Sequence, residues 1–234
     1  AAEPLARAAW QRTRKALGDD DRQTLSMRMT YAMTLADMGR VNDGVDHTQA
    51  VVASLRRERP LNEFRLANAL NNLAFAKDRA GKSAEAVVHD EEALAIRRRI
   101  LPPGHHYIAL SLGNLAIHMD NSGRNKDALP LHAQAVAIYR ALPPSGKQGE
   151  LAAEMNNWGL GCYYLGDTPC AIDKMLEATA IWSKELPPDH GNLLTARTNL
   201  AALYSRSGML REGEAQLRQA MAALAAAAKR SPNA

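Results

Sequence analysis

The sequence predicts an all-α protein, an α-α superhelical solenoid of antiparallel helix pairs, and three observations carry that prediction. Ala and Leu dominate an apolar fraction of 46%, aromatic residues make up only 5%, and β-branched residues are sparse, a balance that favours helices over strands. Gly39, Gly81, Gly123, Gly166 and Gly208 recur at intervals of 42 or 43 residues, and Asn72, Asn114, Asn157 and Asn199 keep the same spacing. Most of the 11 prolines fall between the periodic stretches, where they stop helices rather than break them.

Each interval reads as two helices. In the second copy Leu66, Leu70, Leu73 and Lys77 follow a 3–4 spacing before Gly81, and Val87, Ala93, Leu94 and Ile96 follow it afterwards. Glycine suits a helix C-terminus because it adopts the left-handed conformation without a Cβ clash. The next helix opens on a capping side chain, Ser83 here and Thr168 before Pro169 in the fourth copy. Leu101-Pro102-Pro103, Leu142-Pro143-Pro144 and Leu186-Pro187-Pro188 close successive copies, since proline lacks the amide donor and restricts the residue before it. Small residues keep the register too: Ala86, Ala128, Ala171 and Gly213, then Ala93, Ala135, Ala178 and Ala220.

This register predicts a single solenoid domain over 1–234, with repeats at 22–58, 61–101, 105–143, 147–186 and 190–229. Pro4-Leu5 lies 126 residues, three periods, before Pro130-Leu131, so residues 1–18 read as the second helix of an earlier half-repeat. The first copy departs from the pattern, with Arg28 and Thr30 at the apolar and Asn positions and Gly44 at the small position. The alanine-rich stretch from Leu217 to Lys229 is a strong helix former that buries little surface; it either caps the stack or packs on something else. The chain begins at Ala1 rather than Met, which reads as a processed product or an excised part of a larger protein.

Composition narrows the function. A formal charge of +4 from 29 basic and 25 acidic residues is too even for a nucleic-acid footprint. No apolar run approaches the roughly 18 residues of a membrane span. Cys162 and Cys170 read as buried thiols of a reducing compartment, with a disulfide as the other reading. They place the protein in the cytoplasm, or in the periplasm if a membrane-anchored parent carries it. Among the seven histidines, His105 and His190 occupy equivalent linker positions and read as caps or turn contacts. His47 and His89 are equivalent packing positions on second helices. No HExxH, CxxC or zinc-spaced cluster occurs, and Gly159-Leu160-Gly161 reads as a close-packing site rather than a phosphate loop. The expectation is no catalytic residue, no metal and no cofactor.

The stretches LANALNNLAFAKDRAGKSAEA, SLGNLAIHMDNSGRNKDALPLHAQAVAIYR and LTARTNLAALYSRSGMLREGEAQL resemble the tetratricopeptide repeat, and more closely its long variant in kinesin light chains and bacterial regulators. The linkers LPPGHHYIAL and LPPDHGNLL resemble the Leu-Gly-Pro-Asp-His-Pro connector of that family. The usual repeat has about 34 residues, so helices or linkers here are longer. The resemblance implies that first helices line a concave groove into which Asn72, Asn114, Asn157 and Asn199 point. An amide there offers a donor and an acceptor to a peptide backbone; the same amides could instead join neighbouring helices. One turn on, the register places Arg79, Asn121, Tyr164 and Arg206, with Phe75, Ile117 and Leu160 between the two sets. Such a groove suits an extended protein or peptide segment of acidic or C-terminal carboxylate character, unless the arginines are solvated surface charges. The alternative is a regulatory or oligomerisation domain of a larger bacterial signalling protein, a kinase or transcription regulator, contacting its own chain or a second copy.

Overall fold

The computed structural model describes residues 2–143 and 147–230; the end of the second proline pair, Pro144, lies outside the described residues. The described residues are 84% helical, with eleven helices and no strand among them. The chain divides into two compact units, Ala1–Arg124 and Asn125–Ala234.

The N-terminal unit holds α1 (Ala2–Leu17), α2 (Arg22–Asp37), α3 (Val41–Arg57), α4 (Glu63–Arg79), α5 (Ser83–Ile100) and α6 (His106–Asn121). Each helix packs on the next, and α4 also touches both α2 and α6. Leu25, Val51, Val52, Leu55, Leu66, Leu70, Leu73 and Ile96 fill the core between them. The end of α4 shows how a repeat turns. Gly81 takes φ +74°, its amide donates to Asp78 O, and Lys82 N donates to Lys77 O, so carbonyls orphaned by the helix end are satisfied. Helix α1 buries no residue of its own. It is held by Trp10, which stacks on Tyr31 and meets the edge of His47, with the Arg28 guanidinium over its ring.

The C-terminal unit holds α7 (Asn125–Ala141), α8 (Gln148–Tyr164), α9 (Thr168–Glu185), α10 (Gly191–Arg206) and α11 (Leu210–Arg230), again with each packed on the next. Close helix approach explains the small residues. A Cβ on Gly159 would lie 2.8 Å from Met175 Cγ, and one on Gly213 would lie 3.1 Å from Ala201 O. Helix α11 buries only Gly213, Ala220 and Ala223.

Three expectations need correction. Cys162 and Cys170 are disulfide-bonded, not buried thiols, because the turn at Gly166 brings the end of α8 and the start of α9 to a Cα–Cα distance of 5.8 Å, within bridging range. Ser83 is not a cap: Lys82 holds that place without a side-chain bond, and the Ser83 hydroxyl donates to Asp78 Oδ1. In the fourth copy the cap is Asp167, which accepts from Cys170 N, and Thr168 is the first helical residue. His105 and His190 do cap, each accepting at Nδ1 from the amide two residues on.

Candidate functional site

In the N-terminal unit α4 and α6 place Asn72 and Asn114 on the wall of one cavity of about 610 Å³. Met33 from α2, Phe75 from α4, and Leu110 and Ile117 from α6 supply its apolar surface. Phe75 is 49% exposed although it sits one helical turn from a buried core. In the C-terminal unit Asn199 lines a smaller cavity of about 150 Å³ with Leu160, Tyr163, Met175 and Arg206. Asn157 is half-buried on α8. None of these four amides donates to or accepts from another described residue, so the interhelical alternative for the asparagine series finds no bond here.

The second predicted set behaves differently. Arg79 donates to Asp37 Oδ1 at 2.6 Å and to Ala36 O at 3.0 Å. The Asn121 amide donates to both Asp78 oxygens. These bonds reach back one period, from α4 to α2 and from α6 to α4, and tie successive first helices together. Arg206 lies over the Tyr163 ring. Tyr164 is exposed and lines neither cavity; its neighbour Tyr163 turns inward instead.

Beneath the larger cavity runs a buried polar chain that sequence reasoning missed. Arg97 Nη1 donates to Ser111 Oγ, Ser111 Oγ to Asn71 Oδ1, and Asn71 Nδ2 to Asp90 Oδ1. The second Asp90 oxygen meets His118 Nδ1 at 2.5 Å. Arg97 also donates to Tyr107 O and Asn68 Oδ1. Asp90 is wholly buried. That burial holds its carboxyl above the usual carboxylate range, against the opposing pull of His118, Asn71 and Arg97. A sequence signal existed: in register Asp90 matches Thr48, His132 and Met175, all buried, so a charge there had to be paired. In the C-terminal unit a comparable pair joins His132 Nδ1 to Glu154 Oε1 at 2.6 Å. Among the described residues no group of three metal-ligating side chains could hold an ion, and no helix is long and apolar enough to cross a membrane.

A family model described as tetratricopeptide repeat matches residues 65–141 and 151–226. The chain belongs to the tetratricopeptide repeat family. No curated protein matches it. Among solved structures, putative kinesin light chain TPR-like repeats of Podosopora anserina share 24% identity over 88% of this chain and 96% of that one, with a TM-score of 0.72. BtubC (BKLC) from P. vanneervenii shares 21% over 96% and 90%, with a TM-score of 0.80. A Rap protein complexed with competence and sporulation factor shares 15% over 94% and 65%, with a TM-score of 0.71. The fold class is therefore that of the tetratricopeptide solenoids, kinesin-light-chain-like in its repeats. Tetratricopeptide folds act as protein–protein interaction scaffolds.

Proposed function

We propose that the first-helix face of each unit holds an extended peptide or protein segment by its backbone, through Asn72 and Asn114 in the N-terminal unit and through Asn157 and Asn199 in the C-terminal unit. The observation that carries this reading is the state of the amides. Four half-buried side chains, each able to give two hydrogen bonds and accept two, have no partner among the described residues, and apolar Phe75, Ile117 and Leu160 stand beside them. The Rap relative, solved with its factor bound, supports partner binding on a fold of this kind. No cofactor enters the reading. The expected acidic character of the partner now rests on Arg206, because Arg79 is engaged by Asp37.

The test is a titration against peptides selected from a random displayed library on the full chain, with thermal melts alongside. Changing Asn72 and Asn114 to Ala should weaken binding roughly ten- to a hundredfold, since each lost bond is worth about 0.5–1.5 kcal/mol and an unpaired group adds to the loss. The melt should barely move. A sharp fall in melting temperature with unchanged binding would make the amides structural and remove the proposal.

A second reading, a regulatory or oligomerisation domain, draws on α11, where Leu217, Met221 and Leu224 are exposed on consecutive turns. It predicts a concentration-dependent dimer in light scattering that Met221→Glu dissolves.

A further inference from the structure

We infer that the cavity of the N-terminal unit receives a basic side chain, lysine or arginine, of the bound segment, between His118 Nε2 and Asp78; this rests on the groove reading above. The argument begins at Arg97, which has donors only. Its bond to Ser111 Oγ leaves the Ser111 proton for Asn71 Oδ1, and this orients the Asn71 amide so that Nδ2 donates to Asp90. The run of donors ends on Asp90, whose other oxygen takes the proton of His118 Nδ1. With the Nδ1 proton given to Asp90, the lone pair of Nε2 is the group that His118 can offer to a donor in the cavity. His118 lines the cavity, and its Nε2 lies 4.0 Å from Asp78 Oδ2.

Asp78 is partly satisfied. Its Oδ1 accepts from Ser83 and Asn121, and its Oδ2 from Asn121 alone. A carboxylate offers about four lone-pair sites, so one remains, on the oxygen nearest His118. Two acceptors thus face the same space with no donor between them, which disfavours a partner carboxylate and suits an ammonium or guanidinium. Charge agrees. Asp78 and Arg97 are the charged groups on the cavity wall; the Arg97 relay ends on Asp90, and among the described residues no lysine or arginine pairs with Asp78. Phe75, Leu110 and Ile117 offer the apolar surface along which the aliphatic stem of such a side chain lies.

The experiment uses the full chain and the displayed library. Selected peptides should carry Lys or Arg at a fixed position, and replacing that residue by norleucine should weaken binding roughly ten- to a hundredfold. On Asp78→Asn protein the same replacement should matter much less. Because Asp78→Asn also disturbs Ser83 and Asn121, the norleucine comparison on unaltered protein decides the matter. Peptides that depend on Asn72 and Asn114 yet bind equally well with norleucine, or carry no basic residue, overturn this inference alone. Peptides indifferent to both asparagines, or no selected peptide at all, overturn the groove reading beneath it.

Discussion

The layer around Asp90 and its counterpart two repeats on are filled by opposite chemistries. In the N-terminal unit it holds Asn71, Asp90 and His118, hydrogen-bonded and buried. In register the C-terminal unit puts Asn156, Met175 and Leu203 there, and Met175 and Leu203 join an apolar cluster with Leu200 and Tyr204. The repeat therefore demands volume at this layer and leaves the chemistry free. The apolar filling gains from burial alone. The polar filling must satisfy every group, and in return it sets acceptors at the floor of a cavity.

The largest expected effect breaks the polar layer at its centre. Asp90→Ala leaves Asn71 and His118 buried without their acceptor and should cost roughly 3–5 kcal/mol. Transplanting the other unit's residues, Asp90→Met with His118→Leu, should recover much of that loss, because a well-packed apolar replacement of a buried pair is often neutral or stabilising. Urea melts give the totals, and hydrogen exchange across α4–α6 localises them. A double variant no more stable than Asp90→Ala would show that the two layers are not interchangeable.

The next effect belongs to the C-terminal unit. The disulfide closes a short segment between Cys162 and Cys170, eight residues apart. Restricting so small a loop in the unfolded chain is worth roughly 2–3 kcal/mol on the chain-entropy model. Reduction should lower protection in α8 and α9 by about that much and leave α2–α5 unchanged. Equal loss in both units would mean that they do not respond separately.

These contrasts mark what the sequence discloses. Helix pairs, turn glycines and the asparagine series are periodic, so 42-residue spacing reveals them, and Gly81 turns where the register puts it. Rotation about a helix is harder. The register puts Tyr164 in the groove, but one residue is about 100° of turn, and Tyr163 lines the cavity instead. The caps slipped by one residue for the same local reason: Asp167 precedes Thr168, and either can cap. The Asp90 network joins residues 19, 28 and 40 positions apart, and no period of the repeat contains those separations. The Asp37 partner of Arg79 lies one full repeat away, so nothing local in the sequence marks the pair.

A smaller effect separates the engaged arginine from the available one. Arg79 and Asp37 form an ion pair in which Asp37 is 70% exposed at its side chain, and exposed pairs contribute about 0–1 kcal/mol. Arg79→Ala should therefore shift the melt slightly and binding little. Arg206→Ala, in the C-terminal unit, should leave the melt alone and weaken only acidic peptides, mainly at low salt where screening is weak. Salt-independent loss would point to packing on Tyr163 rather than charge.

The smallest effect is a pH dependence of the N-terminal unit. Burial pushes His47 and His89 below the ordinary histidine value, with nearby Arg28 and Lys77 adding to it. A histidine depressed in the folded state binds fewer protons than in the unfolded chain, so the stability it contributes is present above the unfolded value of about 6.5 and is lost as pH falls below it. Asp90 works the other way. Its raised carboxyl keeps a proton that the unfolded chain has released, so stability falls as pH rises from 3.8 through its folded value. The two contributions oppose each other, and wild-type curves alone would not separate them. The register supplies the control, because Leu131 stands one period after His89. His89→Leu should flatten the acid-side decline between about pH 7 and 5 while leaving the Asp90 contribution in place, read as exchange protection in α4 and α5 at stepped pH. An unchanged slope in the variant would place the acid sensitivity at His47, against Trp10 and α1, and a slope that steepens would contradict the depressed histidine altogether.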